Sequence, residues 1–285
     1  MAETVTVPTA DGRLLACCEW GVQDGRPLFF LHGSPGSRLL RWVNGECERN
    51  GLRVITYDRP GYGRSSRRPG RRVRDAAEDV RAIAEHLEIV EFAVVGVSAG
   101  GPHALAVAAG LPDRVTRCAT IVGLGPFDAS DLDFFEGMLP EDAEEWRAIG
   151  SGADHDEDRA HEEMLAWVDS LRTSTDMPVR DRDMLVEAFS EALVPGAGGV
   201  FDDELALTRP WGIDLAAVVC PVTVMVAEDD ADVPQAHGQW LAGHLPDARL
   251  VHVPGGHFGP RDEEEEQLLV WATRPRRELN PAGPS

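Results

Sequence analysis

A chain of 285 residues with 43% hydrophobic content can bury one large core, so a single domain carrying an insertion is expected rather than two independent ones. The net charge of -22 opposes binding to nucleic acid or to anionic membrane surfaces, and no stretch reaches the roughly 18 consecutive apolar residues of a membrane span. All 27 basic residues are arginine, which excludes a lysine Schiff base, a Walker-type phosphate lysine and a Ser-Lys dyad.

At the N-terminus no basic region precedes an apolar one, so no secretory leader and a cytoplasmic location are expected. Strands are predicted at 5–7, 14–20, 28–31 and 53–57. Val73, Ala76, Ala77, Val80, Ile83, Ala84 and Leu87 then recur at three- and four-residue spacing, which predicts an amphipathic helix with one face on a sheet. The apolar strand Phe92-Ala93-Val94-Val95-Gly96-Val97 runs straight into Ser98-Ala99-Gly100-Gly101. A helix follows over 104–109 and stops at Gly110 before Pro112. A sharp strand-to-helix turn needs small residues two before and two after its tip; Gly96 and Gly100 fill those places, so Ser98 reads as the serine of a nucleophile elbow. The next strand is predicted at 117–122.

The rhythm breaks between 126 and 210, where 23 Asp and Glu stand against six Arg. Phe134, Trp146, Trp167 and Phe189 suggest helices whose apolar faces lie over the active edge of the sheet, as a lid. The acids read as a solvated outer face, with substrate recognition as the alternative. The run Asp154-His155-Asp156-Glu157-Asp158 lacks the glycine and terminal glutamate of a calcium loop. A strand at 222–227, a helix at 235–244, a strand at 249–253 and a helix at 263–272 complete the pattern. Glu263 to Glu266 open the last helix, where acid suits the dipole. The tail 274–285, rich in proline, is expected to be disordered. Alternating strands and helices predict an α/β fold: a mostly parallel central sheet covered by helices on both faces, with a helical lid inserted after the sixth strand. Residues 1–125 and 211–273 would form the core, and 126–210 the lid. Cys17, Cys18, Cys47, Cys118 and Cys220 are odd in number and lack paired metal-ligand spacing, so free, packed thiols are expected, with no metal.

Four separated elements stand in order: His32-Gly33-Ser34-Pro35-Gly36 after a strand, Asp58-Arg59-Pro60-Gly61-Tyr62-Gly63-Arg64-Ser65, the Ser98 turn, and Ala227-Glu228-Asp229-Asp230-Ala231-Asp232-Val233-Pro234 followed by Pro254-Gly255-Gly256-His257. In this combination the chain resembles the α/β-hydrolase fold family over about residues 4–272. The resemblance implies Ser98 as nucleophile, His257 as base and Asp230 as acid. A serine hydroxyl is nearly inert until an imidazole takes its proton, and the imidazole keeps the useful tautomer only if a carboxylate accepts its other N–H. The backbone N–H groups of Ala99 and Ser34 would hold the oxyanion. Family members usually carry Gly-Glu-x-Asp before Val-Pro; here Ala227 replaces the glycine, and Glu228, Asp229 and Asp232 are rival acids within two residues of Asp230.

Ser34 departs from the His-Gly-Gly-Pro-Gly loop of the proline iminopeptidase branch. Its hydroxyl reads as an inert loop group, with a third oxyanion donor as the alternative. His32 and His103 read as structural, Asp58 and Arg59 as pins of their loop, and His237, His244 and His252 have no partner pattern. The expected function is a cofactor-independent serine hydrolase acting on an ester, thioester, lactone or amide of a small, partly apolar molecule. The rivals are non-hydrolytic use of the site, as in perhydrolase or haloperoxidase-like chemistry, acyl transfer, lyase or cyclase reactions, and a ligand sensor with a slow triad. An aminopeptidase subtype, with lid carboxylates holding a substrate amine, is a further alternative. The expected partner is the small-molecule substrate, with no nucleic acid and no membrane; the oligomeric state stays open.

Overall fold

The computed structural model describes residues 3–41, 45–152, 156–174, 179–259 and 262–274. The first two positions of the acidic run at 154–158 and the tail from 275 lie outside the described residues. Eight strands form one sheet: β1 (Thr4–Pro8), β2 (Leu14–Gly21), β3 (Arg26–Leu31), β4 (Leu52–Tyr57), β5 (Phe92–Val97), β6 (Val115–Ile121), β7 (Val222–Ala227) and β8 (Ala248–Val253). Their order is β1-β2-β4-β3-β5-β6-β7-β8. β2 pairs antiparallel with both β1 and β4, and every other pairing is parallel.

A parallel strand must be covered on both faces, which is why its sequence is a near-continuous apolar run. Leu28-Phe29-Phe30-Leu31 shows the division of labour: Phe29 and Leu31 enter one apolar cluster, Leu28 and Phe30 the other. The first cluster is completed by α2 (Ala76–His86), α3 (Gly100–Gly110) and α8 (Gln235–His244), the second by α1 (Glu46–Arg49) and α9 (Asp262–Ala272). Each buried Leu or Phe contributes about 1.5–3 kcal/mol of transfer free energy. The periodic helix begins later than its spacing predicts, because Asp75 accepts a 2.9 Å hydrogen bond from the Arg72 amide and closes a tighter turn over Val73–Asp75 first. The short α1 was not predicted; one turn of helix carries too few residues for a period.

Among the described residues, four α-helices lie between β6 and β7: α4 (Pro140–Gly150), α5 (Glu157–Leu171), α6 (Val179–Ala192) and α7 (Gly198–Leu207). α4 opens on a proline after an extended Leu139, a placement in which the missing N–H costs nothing. The inserted residues join both clusters, Phe134 and Leu207 on one side, Val168, Phe189 and Val200 on the other. They therefore straddle the sheet edge instead of lying on one face. All five cysteines are buried and free. No helix among the described residues is long and apolar enough to cross a membrane.

His237, which shows no partner pattern in sequence, ties α8 to the start of the insertion. Its Nδ1 accepts a 3.0 Å hydrogen bond from the Gly125 amide, and its ring meets the Phe134 ring edge-on at 4.7 Å. Burial pushes His237 down to about 4. In the unfolded chain an imidazole titrates near 6.5, so between those values the unfolded state binds the extra proton. Stability from this group is therefore complete above about pH 6.5 and is lost as pH falls toward 4. Between pH 8 and pH 5 the stability gap between wild type and His237→Asn should narrow by about 2 kcal/mol, measured by urea unfolding at both pH values. A gap independent of pH would show that His237 protonates as readily in the folded chain as in the unfolded one.

Candidate active site

Because β3, β5, β7 and β8 run in the same direction, the segments that leave their C-terminal ends meet along one edge of the sheet. Those segments carry Ser34, Ser98, Asp230 and His257. Ser98 sits between β5 and α3 with φ of 53°, a left-handed conformation that non-glycine residues rarely hold. Its neighbours explain how the turn closes. A methyl group on Gly96 would collide with the carbonyl oxygen of Gly100, and one on Gly100 would collide with the carbonyl oxygens of Leu31 and His32 at the end of β3.

Ser98 Oγ lies 3.0 Å from His257 Nε2. On the other side of the ring, His257 Nδ1 lies 2.9 Å from Asp230 Oδ2 and 3.2 Å from Oδ1. The four rival carboxylates separate here. Asp230 is buried, while Glu228, Asp229 and Asp232 are exposed. The turn into Val233 and Pro234 aims the amides of Asp232 and Val233 at Asp230 Oδ1, at 3.0 and 2.8 Å, and so fixes the carboxylate against the ring. The amides of Ser34 and Ala99, both of which line the cavity described below, donate to no other group among the described residues.

Sequence reading missed the group that holds the Ser34 loop. Asp203 of α7 is fully buried and faces Arg59, Arg71 and Tyr62. Arg59 Nε donates to Asp203 Oδ2 at 3.0 Å, while its two terminal nitrogens also donate to the carbonyls of His32 and Gly33. Burial alone would raise the Asp203 carboxyl, but Arg59 and Arg71 more than offset it and hold it well below the usual range. The acids of the insertion read as a solvated face, and at Asp202 and Asp203 that reading is overturned. Arg67, Arg59 and Arg71 reach up from the core to pair with them, which is what makes their burial tolerable. Asp58 and Arg59 act separately: Asp58 accepts from the Arg38 guanidinium at 2.7 Å and from the Arg64 amide at 2.9 Å, tying two loops together.

This cluster also settles where the Ser34 hydroxyl proton goes. Tyr62 has one hydroxyl hydrogen, which it donates to Asp203 at 2.8 Å. Ser34 Oγ, 2.8 Å from the Tyr62 oxygen, must then be the donor of that pair, and has no proton left for a third party. His32 and His103 are buried structural groups. His32 Nε2 accepts from the Arg59 amide at 3.2 Å, and His103 Nδ1 lies 2.7 Å from the Ala99 carbonyl. Burial, then Arg59, pushes His103 down to about 3, so it is neutral at physiological pH.

Above Ser98 and His257 lies a cavity of about 380 Å³. Trp146, Met164, Trp167 and Leu207 of the inserted helices make much of its wall, with Phe258 near the mouth. Asp142, Glu145, Glu204 and Asp232 also line it. Burial pushes Glu204 up to about 8, with Glu145 and Asp203 adding to the shift, and burial, then Asp232, raises Asp142. Asp230, Asp232 and His257 are close enough to share a cation, but Asp230 already occupies His257 Nδ1.

This arrangement, a serine at a strained turn with a His257-Asp230 pair behind it, accords with what the chain matches. The family model described as alpha/beta hydrolase fold covers residues 26–263, and the chain belongs to that family. An uncharacterised hydrolase of Bacillus subtilis is 26% identical over 88% of this chain and 90% of its own. A bifunctional esterase/perhydrolase of Acinetobacter calcoaceticus is 24% identical over 92% and 95%. Among solved structures, a thermophilic esterase from Thermogutta terrifontis superposes with a TM-score of 0.66 at 26% identity, over 94% of this chain and 97% of that one.

Proposed function

We propose that the protein is a cofactor-independent serine hydrolase that cleaves an ester, thioester, lactone or amide of a small, partly apolar molecule. The observation that carries this reading is the unbroken hydrogen-bonded line from Ser98 through His257 to Asp230 at the floor of the cavity. Ser98 Oγ attacks the acyl carbonyl as His257 Nε2 takes its proton, and Asp230 stabilises the imidazolium that forms. The amides of Ser34 and Ala99 receive the developing oxyanion, an interaction whose loss typically costs about 2.7–4 kcal/mol of transition-state stabilisation per donor. His257 then protonates the leaving group, and water, deprotonated by the same imidazole, releases the acid from Ser98. In this reading α4 to α7 form the lid, and the Asp203 cluster holds the Ser34 loop still while the cavity above it fills and empties.

The test is labelling with a fluorophosphonate, followed by intact mass, beside a panel of short-chain nitrophenyl esters. One label per native chain, none on Ser98→Ala, and ester turnover by the native chain alone are expected. A folded native chain that neither labels nor turns over ester overturns the proposal. A second reading is favoured by the esterase/perhydrolase relative: hydrogen peroxide in place of water at the acyl-enzyme would give a peracid. Peracid formation from an acyl ester and peroxide, absent in Ser98→Ala, would add that activity to the first.

A further inference from the structure

The two amides assigned to the oxyanion are backed differently. Ala99 stands at the N-terminal end of α3, where the helix dipole strengthens its N–H. The carbonyl of its own peptide unit, that of Ser98, accepts a 2.9 Å bond from a neutral donor, the Gly101 amide. Ser34 lies in a loop, residues 32–41 holding no helix. The carbonyl of its peptide unit, that of Gly33, instead meets two side chains: Arg59 Nη2 donates to it at 2.8 Å, and His32 Nδ1 lies 2.7 Å away. His32 is the donor of that pair. Its Nε2 accepts from the Arg59 amide, and burial, then Arg59, pushes the imidazole well below its ordinary range, leaving one ring hydrogen, on Nδ1.

The charge of Arg59 exceeds what its neighbours need. Among the described residues Asp203 is the one carboxylate within ion-pair distance of Arg59 and of Arg71, so two guanidinium groups share one anion. Arg71 alone would balance it. Arg59 is 1% exposed, and a second cation held in the interior is costly unless it answers negative charge that forms elsewhere. It is absent from the cavity wall, so it does not meet a substrate held there. What it meets is the far end of the peptide unit that ends in the Ser34 N–H. A carbonyl that accepts from a cation draws electron density away from the nitrogen of its own peptide unit, so that N–H becomes a stronger donor.

We infer that Arg59 is a positioning residue for the transition state of the Ser98 site: it holds the peptide unit joining Gly33 to Ser34 by its carbonyl and polarises it, so that the Ser34 N–H meets the oxyanion with guanidinium charge behind it. This rests on the serine hydrolase reading for the oxyanion itself. The effect belongs to kcat, because the substrate carbonyl carries little of the charge that its oxygen bears in the transition state.

The experiment compares Arg59→Gln and Arg59→Lys, with Arg67→Gln as a control, in the whole protein. The probes are one nitrophenyl ester and butyl trifluoromethyl ketone, whose adduct with a serine bears an oxyanion. Arg59→Gln leaves Asp203 balanced by Arg71. It should lower kcat about 30-fold, less than the 10²–10³ lost with a whole oxyanion donor, with KM within about twofold. Affinity for the ketone should fall by a similar factor. Arg59→Lys keeps the charge with fewer contacts and should come within about fivefold of wild type, whereas a brace acting by shape alone would be lost equally in both. Arg67 pairs with Asp202 and Glu157, and Arg67→Gln should keep kcat within about twofold. If Arg59→Gln does not fold, the native protein carries the test through ¹³C labelling of the glycine carbonyls and ¹⁵N labelling of serine. Gly-Ser occurs three times, at 33–34, 36–37 and 150–151, and of these the Gly33 carbonyl carbon should resonate furthest downfield. Four results overturn the inference: wild-type kcat and ketone affinity in Arg59→Gln, equal losses in the two Arg59 variants, a loss as large in Arg67→Gln, or a Gly33 carbonyl no further downfield than the others. Fluorophosphonate labelling of Ser98 separates the two readings. Labelling and turnover that are indifferent to Arg59 remove only this one, and a folded native chain that neither labels nor turns over removes the hydrolase and this inference with it.

Discussion

Asp230→Asn is expected to lower kcat by about 10⁴-fold, because an amide in that place accepts from one ring tautomer only weakly and leaves His257 without the partner that keeps Nε2 free to take the serine proton. Ser98→Ala should cost more, on the order of 10⁶-fold, and the double variant should be no worse than Ser98→Ala, since groups that act as a unit are lost together. Glu228→Gln and Asp229→Asn should stay near the wild-type rate, both side chains being exposed and outside the hydrogen-bonded line. Steady-state kinetics on one nitrophenyl ester compares all of them. Near-full turnover by Asp230→Asn would remove it from the mechanism, however well its carboxylate is placed.

The second large effect is on stability. Asp203→Ala should destabilise the fold by about 3–5 kcal/mol, because it strands Arg59 and Arg71 in the interior with no anion to answer them. The comparison is Asp202→Ala one position away. Its partner Arg67 is partly exposed and keeps water and Glu157 as alternatives, so a loss of roughly 1 kcal/mol or less is expected there. Urea unfolding of the pair would decide it: equal losses would mean that water reaches the Asp203 cluster when the carboxylate is removed. In the surviving folded fraction of Asp203→Asn, kcat should fall more than KM rises, since the Arg59 contacts to the carbonyls of His32 and Gly33 set where the Ser34 amide points.

What could be read in the sequence, and what could not, divides by the range of the interactions involved. The strands were legible because burial on two faces writes an apolar run into each, as in Leu28 to Leu31, and the turn at Ser98 was legible because Gly96 and Gly100 are demanded by backbone atoms within a few residues or at the neighbouring strand end. The choice of Asp230 among four acids had only the spacing to Pro234 behind it; its physical basis, two amides converging on one oxygen, appears once the turn is folded. Asp203 was hidden. Its partners lie about 130 to 145 residues away in the chain, and in a segment with 23 acids no local signal marks the one that arginines will enclose. A hint was present in its surroundings: Val200-Phe201 before and Leu205-Ala206-Leu207 after it leave little room for a water-facing side. His237 was hidden likewise, because an imidazole accepting from a single distant amide leaves no pattern of its own.

The Asp203 cluster bears on how such an insertion can be exchanged in the laboratory or in evolution. Recombining this core with another relative's intervening helices would transfer Arg59 and Arg71 without the anion that answers them, unless the donor segment supplies a carboxylate at the same height. Substrate preference could thus drift residue by residue along α4 and α5, whereas wholesale swapping would select for chimaeras whose breakpoint falls before α7. A chimaera series with crossovers on either side of residue 198 would show that boundary as a step in soluble yield.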